Sequence, residues 1–349
     1  MARDVGYIIA KDDLFAWVDS LRDEYSLVGP TRKGARVEFQ RLSSSGALEM
    51  DYGSTMLSPR KFLYPPRERL FRFSQGKGNK WTTEEGGCPE KQLLLGVHPC
   101  DVRAINILDK VFLGDEADKS YESRRRGTVL VALNCTRVCE KCFCESMGTG
   151  PFLSLKTGFD LALTDLGKTY LLEWGSERAG ELISSLPRLR RASPSDLRKK
   201  RKKEEELKSR FTKKLSLEDL PRILSRNLEH PLYRQVAEEK CLGCTNCTMV
   251  CPTCFCYQLE DKTNLALNQV ERSRHWDSCQ ELHFAQVHGG NFRSTRRARL
   301  RQFITHKLST WIEQYGCVGC VGCGRCMTWC PTGIDLTEIA GEIAKDERQ

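Results

Sequence analysis

The sequence has 349 residues, of which 29% are charged and 40% hydrophobic, and it carries 18 cysteines and a formal net charge of +9. This length allows two or three domains with cores of their own, and no apolar run of about eighteen residues is present that would span a membrane. The first residues, MARDVGYIIAKDDLFAW, lack the apolar stretch and cleavage site of a signal peptide, so we predict a cytoplasmic protein without membrane insertion. Cysteines in that reducing compartment favour metal ligation over disulfides.

The N-terminal part, residues 1–165, alternates strand-like apolar runs with a helical pattern. Strands are predicted at Lys91–His98 (KQLLLGVH) and Gly127–Cys135 (GTVLVALNC), and a helix between them at Asp101–Phe112 (DVRAINILDKVF). A strand–helix–strand order places both strands in one partly parallel sheet. We therefore predict an N-terminal α/β domain.

Cysteines follow both predicted strands. Cys100 and Cys135 each stand where a strand ends, so pairing of the strands would bring them to the same sheet edge, near the segment CEKCFC. Four thiolates would then be able to converge at this edge. Two other interpretations stay open at this point: buried cysteines that act as small apolar side chains, and a zinc site that includes Cys139 and Cys142.

Residues 166–215 are predicted to be a variable region that ends in a basic linker. The stretch RLRRASPSDLRKKRKKEEELKSRFTKK (Arg188–Lys214) holds much of the positive charge, but it mixes Glu with Lys and offers only Phe211 for stacking on a base. Proteins that bind single-stranded nucleic acids combine a basic groove with several aromatic side chains. We therefore expect a solvated linker or an exposed helix here rather than a nucleic-acid-binding segment.

The C-terminal part, residues 216–349, is predicted to be a mostly helical, ferredoxin-like domain. Apolar residues from Leu217 to Leu228 recur at helical spacing. Two motifs of the form C-x2-C-x2-C-x3-C-P then begin at Cys241 and Cys320, and this spacing binds three thiolates to one 4Fe-4S cluster and sends the fourth to the other. Zinc normally uses two separated C-x2-4-C halves instead. The crossed pattern predicts as ligands Cys241, Cys244, Cys247 and Cys330 for the first cluster, and Cys320, Cys323, Cys326 and Cys251 for the second.

The segment between the motifs, residues 252–319, is longer than a compact two-cluster ferredoxin needs. Its sequence is compatible with helices, so we expect an all-helical ferredoxin arrangement. Cys317 extends the second motif and is left unassigned. Cys254, Cys256 and Cys279 also lie in this segment, and three thiolates together with a side chain or an exogenous ligand would form a further cluster with an open iron position. The side chains considered for the fourth position are His275 and Asp277.

Seven segments match one protein family in order along residues 59–335. They are PRKFLYPPRERLF (59–71), GVHPCDVRAINILDKVF (96–112), CFC (142–144), CLGCTNCTMVCPTCFCYQLED (241–261), RHWDSCQ (274–280), NFRSTRRARLR (291–301) and CVGCGRCMTWCP (320–331). On these segments the sequence resembles the iron–sulfur beta subunits of soluble multimeric NiFe hydrogenases, also called sulfhydrogenases, and the related A subunit of anaerobic sulfite reductase. The cubane motifs are common among redox proteins, whereas GVHPCD, PTCFCY and RHWDSCQ together are much more particular.

The resemblance implies an electron-transfer subunit in an anaerobic multisubunit oxidoreductase. Such a subunit relays single electrons between a separate flavin subunit that handles NAD(P)H and a separate catalytic subunit, either a NiFe hydrogenase or a sulfur or sulfite reductase. The two motifs predict at least two 4Fe-4S clusters. The resemblance also implies a third cluster, which brings the number to three. The third set of ligands would be Cys100, Cys135, Cys142 and Cys144. No counterpart is identified for Cys88, Cys139, Cys317 or the basic segment around Lys199.

Two other functions stay open. A self-contained iron–sulfur reductase would need bound flavin or an open iron position, and a zinc-stabilised nucleic-acid-binding protein would need zinc in place of iron. No G-x-G-x-x-G or G-x4-G-K-[ST] loop is present, so neither a nucleotide site nor a catalytic residue is assigned. The basic stretch RSTRRARLR (Arg293–Arg301) is either a solvated helix face or a docking surface for an acidic partner.

Overall fold

The computed structural model describes residues 6–86 and 90–348. Cys88 therefore lies outside the described residues. Within these ranges the strands are β1 (Tyr7–Ala10), β2 (Ser26–Lys33), β3 (Arg36–Arg41), β4 (Arg67–Gln75), β5 (Trp81–Glu85), β6 (Gln92–Val97), β7 (Thr128–Leu133), β8 (Leu161–Asp165), β9 (Thr169–Trp174), β10 (Arg190–Arg191), β11 (Tyr257–Thr263), β12 (Gln269–Trp276), β13 (Gln286–Val287) and β14 (Gly290–Asn291).

The α-helices of the same ranges are α1 (Lys11–Ser20), α2 (Pro99–Phe112), α3 (Lys119–Arg126), α4 (Arg178–Ser184), α5 (Pro194–Ser209), α6 (Leu220–Arg226), α7 (Pro231–Glu239), α8 (Asn246–Met249), α9 (Arg296–Thr305), α10 (Trp311–Tyr315), α11 (Arg325–Thr328) and α12 (Leu336–Asp346). Short 3-10 turns lie at Ser45–Ala47, Pro59–Phe62, Lys77–Asn79 and His283–Ala285. A π-helical turn, His306–Thr310, joins α9 to α10. Among the described helices, none is long and apolar enough to cross a membrane.

A central sheet of eight strands organises the first half of the described chain. Its order is β10-β1-β9-β8-β7-β6-β2-β3, in which β2, β6, β7 and β8 run parallel and the other pairs are antiparallel. The two predicted strands and the predicted helix correspond to β6, β7 and α2. Every residue of β6 and β7 is buried, as expected for central parallel strands covered on both faces. The predicted partly parallel α/β architecture is therefore present.

The central sheet continues past residue 165, where the sequence analysis ends the N-terminal domain. β9 and β10 both pair with β1 and so complete the antiparallel side of the sheet. Without them β1 would present unpaired backbone groups. The basic segment then forms helix α5, which starts at a capping box between Ser193 and Asp196 and is tied to β9 by an ion pair of 2.6 Å between Lys200 and Glu173. An exposed helix is one of the two forms predicted for it.

A second sheet joins the two halves of the chain. Its order is β11-β12-β4-β5: β4 and β5 precede the central strands β6 and β7, whereas β11 and β12 form a hairpin between the two cysteine motifs. The expectation of an all-helical segment between the motifs is therefore wrong for residues 257–276. Helical periodicity is a local signal, but this hairpin depends on pairing with β4, which comes far earlier in the chain.

The C-terminal helices pack around one apolar core. Its members on α6, α7, α9 and α12 include Leu220, Ile223, Leu224, Tyr233, Phe303, Ile304, Ile339 and Ile343. The predicted helical stretch is divided between α6 and α7, because α7 begins at Pro231, a residue suited to the first turn of a helix. Leu228 lies between the two helices and is 41% exposed. Helical packing thus frames the two cysteine motifs, which lie at the edge of this core.

Arg274 on β12 is the polar centre of the second sheet. Its buried guanidinium forms ion pairs with Glu68 on β4 and with Asp118 at the start of α3. The same guanidinium lies 5.1 Å from the ring centre of Tyr64 and 5.6 Å from that of Phe112. One side chain therefore connects the hairpin between the cysteine motifs to the N-terminal half of the molecule.

We predict that Arg274→Met strongly destabilises the protein. Removing one partner of a buried ion pair typically costs about 3–5 kcal/mol. Glu68 keeps a second cation, Arg124, whereas Asp118 loses its ion pair, so we expect a cost in the lower part of that range. The matched control is Arg272→Met, two positions earlier on β12, because Arg272 forms an exposed pair with Asp261 at 2.6 Å. The midpoint of urea unfolding, measured without oxygen, should fall clearly for the first variant and stay close to wild type for the second. Equal shifts would show that Arg274 adds nothing beyond a surface ion pair.

Candidate metal centres

Each of the two cysteine motifs forms a loop with two left-handed residues, followed by a helix of one turn. In the first motif Gly243 and Thr245 have φ values of 69° and 66° before α8, and in the second Gly322 and Gly324 have values of 65° and 72° before α11. Residues with a side chain rarely adopt this conformation, because the Cβ atom approaches the following carbonyl. The paired turns wind each loop so that its cysteines face a common interior.

The first cavity is lined by Cys241, Cys244, Cys247 and Cys330, the predicted ligands of the first cluster. Leu300, Phe303 and Ile304 of α9 and Cys326 also line it. The side chain of Cys244 is exposed, so this cavity lies near the surface.

The second cavity is lined by Cys251, Cys320, Cys323 and Cys326, the predicted ligands of the second cluster. The backbone N–H of Gly322 donates to Cys320 Sγ at 3.4 Å, a contact of the kind that holds thiolate ligands in place. Besides the four cysteines, the lining contains the charged side chain of Lys307, which lies on the π-helical turn.

Lys307 is buried, and its Nζ donates to Thr253 Oγ1 at 2.9 Å and lies 4.1 Å from the ring centre of Trp311. Burial alone would lower the pKa of this ammonium, but the thiolates of Cys251 and Cys254 outweigh burial and raise it. A π-helical turn is rare and often occurs at functional sites. Here it places a positive charge beside the sulfur atoms.

The third cavity is lined by Cys100, Cys135, Cys142 and Cys144, the set implied by the family resemblance. Cys100 is the second residue of α2, and Cys135 follows β7, so both stand at the carboxyl ends of neighbouring parallel strands. His98 also lines this cavity. Its ring stacks on Tyr52 with the ring centres 4.0 Å apart, and burial lowers its pKa to about 4.

The three cavities are contiguous. Cys326 lines both the first and the second cavity, and Cys323 lines both the second and the third. The structure therefore brings twelve of the predicted cysteine ligands into one row, four at each cavity. This row runs from the exposed Cys244 to the third cavity, whose lining includes the half-exposed side chain of Arg137.

The loops of the second and third cavities interlock through their backbones. The N–H of Phe143 donates to the carbonyl of Gly322 at 2.8 Å, and Thr149 Oγ1 donates to the carbonyl of Val321 at 2.6 Å. A Cβ atom on Gly322 would lie 2.7 Å from the backbone of Phe143 and Cys144. Glycine is thus required at position 322 both for its left-handed conformation and for this close approach.

A buried ion pair connects the same two cavities. Arg325 donates to both carboxylate oxygens of Asp101, at 2.8 and 2.7 Å, and to the carbonyl of Thr55 at 2.8 Å. Asp101 follows Cys100, and Arg325 precedes Cys326, so the pair fixes two cysteine-bearing turns relative to each other. Sequence analysis gave neither residue a role, although both lie in segments, HPCD and CGRC, that carry the resemblance.

Five further cysteines lie within the described residues. The thiol of Cys139 is in hydrogen-bond contact with Cys142, and Cys317 packs half-buried beside the third cavity's apolar surroundings. Cys254, Cys256 and Cys279 gather next to the second cavity, and we call them the three-thiol group. A hydrogen bond from Cys279 lowers the pKa of Cys256 to about 7.

The donor chemistry of the three cavities fits iron–sulfur clusters. Each is lined by at least four thiols, and backbone N–H groups point at sulfur at Cys320 and at Cys330, where Ile334 donates at 3.3 Å. Within residues 6–86 and 90–348, no three His, Cys, Asp or Glu side chains form a site for a single metal ion. A cubane cluster spans a wider gap between its thiolates than one zinc ion does.

Comparison with known proteins supports 4Fe-4S clusters in this chain. Residues 240–334 match the family model described as "4Fe-4S dicluster domain". The chain is 35% identical over 326 residues to the sulfhydrogenase 2 subunit beta of Pyrococcus furiosus, a match that covers 93% of either chain. No solved structure matches the chain significantly.

We predict that Gly322→Ala weakens the contact between the second and third cavities. The variant should lose bound iron and unfold at a lower temperature than wild type, since its methyl group would collide with the backbone of Cys144. The control is Gly316→Ala, which has a similar φ of 68° but no neighbouring atom within 4 Å, so it carries only the left-handed strain of about 1–2 kcal/mol. Equal iron content and equal melting temperatures in the two variants would contradict the close-packing explanation.

A double-mutant cycle should show that Asp101 and Arg325 are strongly coupled. Asp101→Leu and Arg325→Met each leave one buried charge, so each should lower the free energy of unfolding by about 3–5 kcal/mol. The double variant should cost much less than the sum of the two, because it leaves neither charge behind. Additive effects in denaturant unfolding would mean that the two groups act independently.

Proposed function

Because the chain belongs to the family of sulfhydrogenase beta subunits, we propose that it is the electron-transfer subunit that connects a flavin subunit handling NAD(P)H with a NiFe hydrogenase or a sulfur or sulfite reductase catalytic subunit. The family and the dicluster domain make it an iron–sulfur electron-transfer subunit. The choice of partners is our proposal. The observation that supports a relay most directly is the contiguous row of three four-cysteine cavities.

In this proposal each cavity holds one 4Fe-4S cluster, which accepts and donates single electrons when bound. The ligands would be Cys241, Cys244, Cys247 and Cys330 in the first cavity, Cys251, Cys320, Cys323 and Cys326 in the second, and Cys100, Cys135, Cys142 and Cys144 in the third. Cys326 lines both the first and the second cavity, and Cys323 lines both the second and the third, so neighbouring sites share a cysteine.

The protein contributes rigidity and charge around these sites. The Asp101–Arg325 pair and the interlocked loops hold the second and third cavities at a fixed separation. Lys307 lines the second cavity, whereas the cations that line the third, Arg137 and Arg325, are paired with Asp51 and Asp101. A nearby positive charge favours the reduced, more negative form of a cluster. The three sites are therefore electrostatically different, which allows their reduction potentials to differ.

The two ends of the row are suited to contact with other subunits. At the first cavity, Cys244 is exposed next to Leu242, whose apolar side chain is 62% exposed. At the other end, Arg137 lines the third cavity and holds Asp51 in a surface ion pair. An apolar end and a charged end would suit two different partners.

The test of this function is loss of iron and of electron transfer together. Purified anaerobically in its native complex, the wild-type chain should supply about four iron atoms and four acid-labile sulfides for each cavity. Cys241→Ser, Cys320→Ser and Cys100→Ser should each lower the iron content by about four atoms. Cys317→Ser, a cysteine outside the three sets, serves as the control and should keep all of the iron.

NAD(P)H should bleach the visible cluster absorbance of the wild-type complex, and the cavity variants should slow electron delivery from NAD(P)H to the catalytic subunit by at least about tenfold. Activity of the catalytic subunit with an artificial electron donor should be unchanged, because this chain holds no part of that active site in our proposal. A complex that contains neither flavin nor a reductase or hydrogenase subunit, or zinc without sulfide, would contradict the proposal.

A further inference from the structure

The three-thiol group, Cys254, Cys256 and Cys279, lies outside the three cavities that the proposed function uses. Cys256 immediately precedes β11 and Cys279 follows β12, so the pairing of Tyr257 with Trp276 at the open end of this hairpin brings them together. The N–H of Asp277 donates to the carbonyl of Cys256 at 2.9 Å, and the thiols of Cys256 and Cys279 are in hydrogen-bond contact. Cys254 in turn contacts Cys251 of the second cavity.

The loop that carries Cys279 is fixed against the first cysteine motif. Ser278 Oγ lies 2.7 Å from Thr248 Oγ1, and both residues are buried on the loop and on α8. Gln280 Nε2 donates to the carbonyl of Arg299 at 3.2 Å. The three-thiol group is thus held in place between Cys247 of the first cavity and Cys251 of the second, rather than being three unrelated buried thiols.

Arg60 is a buried cation beside this group. Its side chain is 2% exposed and stacks on Trp276 with 3.9 Å between the guanidinium carbon and the ring centre. Nη2 donates to the carbonyl of Met249 at 3.2 Å, but Nη1 is buried and has no hydrogen-bond partner. The charged groups that act on it are the thiols of Cys254, Cys251 and Cys256, together with Tyr64.

Arg60 and Lys307 therefore both lie near the sulfur atoms of Cys251, Cys254 and Cys256. Among the carboxylates that the structure describes, none forms an ion pair with either cation. A buried cation without an anion is costly by several kcal/mol. Both cations lie near Cys251 of the second cavity, but Cys254 of the three-thiol group is the sulfur that acts most strongly on Arg60. A negative group bound at the three-thiol group would therefore compensate the charge of Arg60.

The sequence around Cys254 repeats a pattern of the third cavity. Cys254 and Cys256 flank Phe255, as Cys142 and Cys144 flank Phe143. In the third cavity both cysteines of this tripeptide line the site, together with two cysteines from elsewhere in the chain. The three-thiol group has the tripeptide and one cysteine from elsewhere, Cys279, and so it offers one thiol fewer.

We propose that Cys254, Cys256 and Cys279 bind a fourth iron–sulfur cluster through three thiolates, with Arg60 balancing its negative charge. Binding releases the three S–H protons and separates the thiols that contact each other. Three protein thiolates leave the fourth iron to an exchangeable ligand, which gives this cluster a chemistry that the three fully ligated sites lack. The inference rests on the proposed function in one respect, that the chain is loaded with clusters.

The experiment is a comparison of cysteine variants in the full chain, purified anaerobically within its complex. The wild type should contain about sixteen iron atoms per chain, and Cys279→Ser and Cys256→Ser about twelve each, while Cys317→Ser stays at the wild-type value. Low-temperature EPR of the reduced Cys279→Ser variant should lose one signal and keep the others. Adding cyanide, a small ligand for an open iron, should shift that same signal in the wild type only.

Arg60 provides a second set of variants that keeps every cysteine. Arg60→Met should lose about four iron atoms or shift the cyanide-sensitive signal, and Arg60→Lys should retain both. The inference is overturned if Cys256→Ser and Cys279→Ser keep all iron, or if the wild type holds about twelve atoms and no signal responds to cyanide. That outcome leaves the proposed function intact, whereas a wild-type chain without iron and sulfide would overturn both. If the Cys279→Ser chain fails to fold, the wild-type iron count and the iron content of the Arg60 variants still test the inference.

Discussion

The buried pair of Asp101 and Arg325 is the constraint on which the arrangement of the sulfur sites depends. Taking two charges out of water is unfavourable unless geometry and additional hydrogen bonds compensate, and here the guanidinium meets both carboxylate oxygens and Thr55. Because each partner stands next to a cysteine of a different cavity, the pair fixes the position of the α/β half relative to the C-terminal half. The second sheet and the interlocked loops connect the same two halves in this orientation.

Much of the fold could be predicted from the sequence because its signals are local. The apolar runs of β6 and β7, the helix between them and the spacing of the two cysteine motifs each depend on residues close together in the chain. The hairpin of β11 and β12 could not be predicted in this way, because its stability comes from pairing with β4. The burial of Arg60 and Lys307 next to thiols could not be predicted either, because nothing in the sequence distinguishes these two residues from the exposed basic residues of the chain.

The basic stretch RSTRRARLR forms most of its contacts within the molecule. Arg297 and Arg301 of the stretch RSTRRARLR both pair with Glu229, and Arg296 donates to the carbonyl of Cys241 at 2.8 Å. Arg299 is buried and donates to two backbone carbonyls. This helix therefore supports the first cavity more than it offers a free docking face, and a net charge of +9 does not by itself indicate a nucleic-acid surface.

The interlocked loops also restrict when the protein can be completed during synthesis. The turn that carries Cys142 has its packing partner at Cys323, 181 positions later. A ribosome builds the chain from the N-terminus, so the α/β half leaves it long before the residues that close the third cavity exist. Until then these cysteines remain open to solvent and to oxygen. The four thiols of this cavity are therefore synthesised long before the loop that covers them, and the cell has to keep them reduced in the meantime.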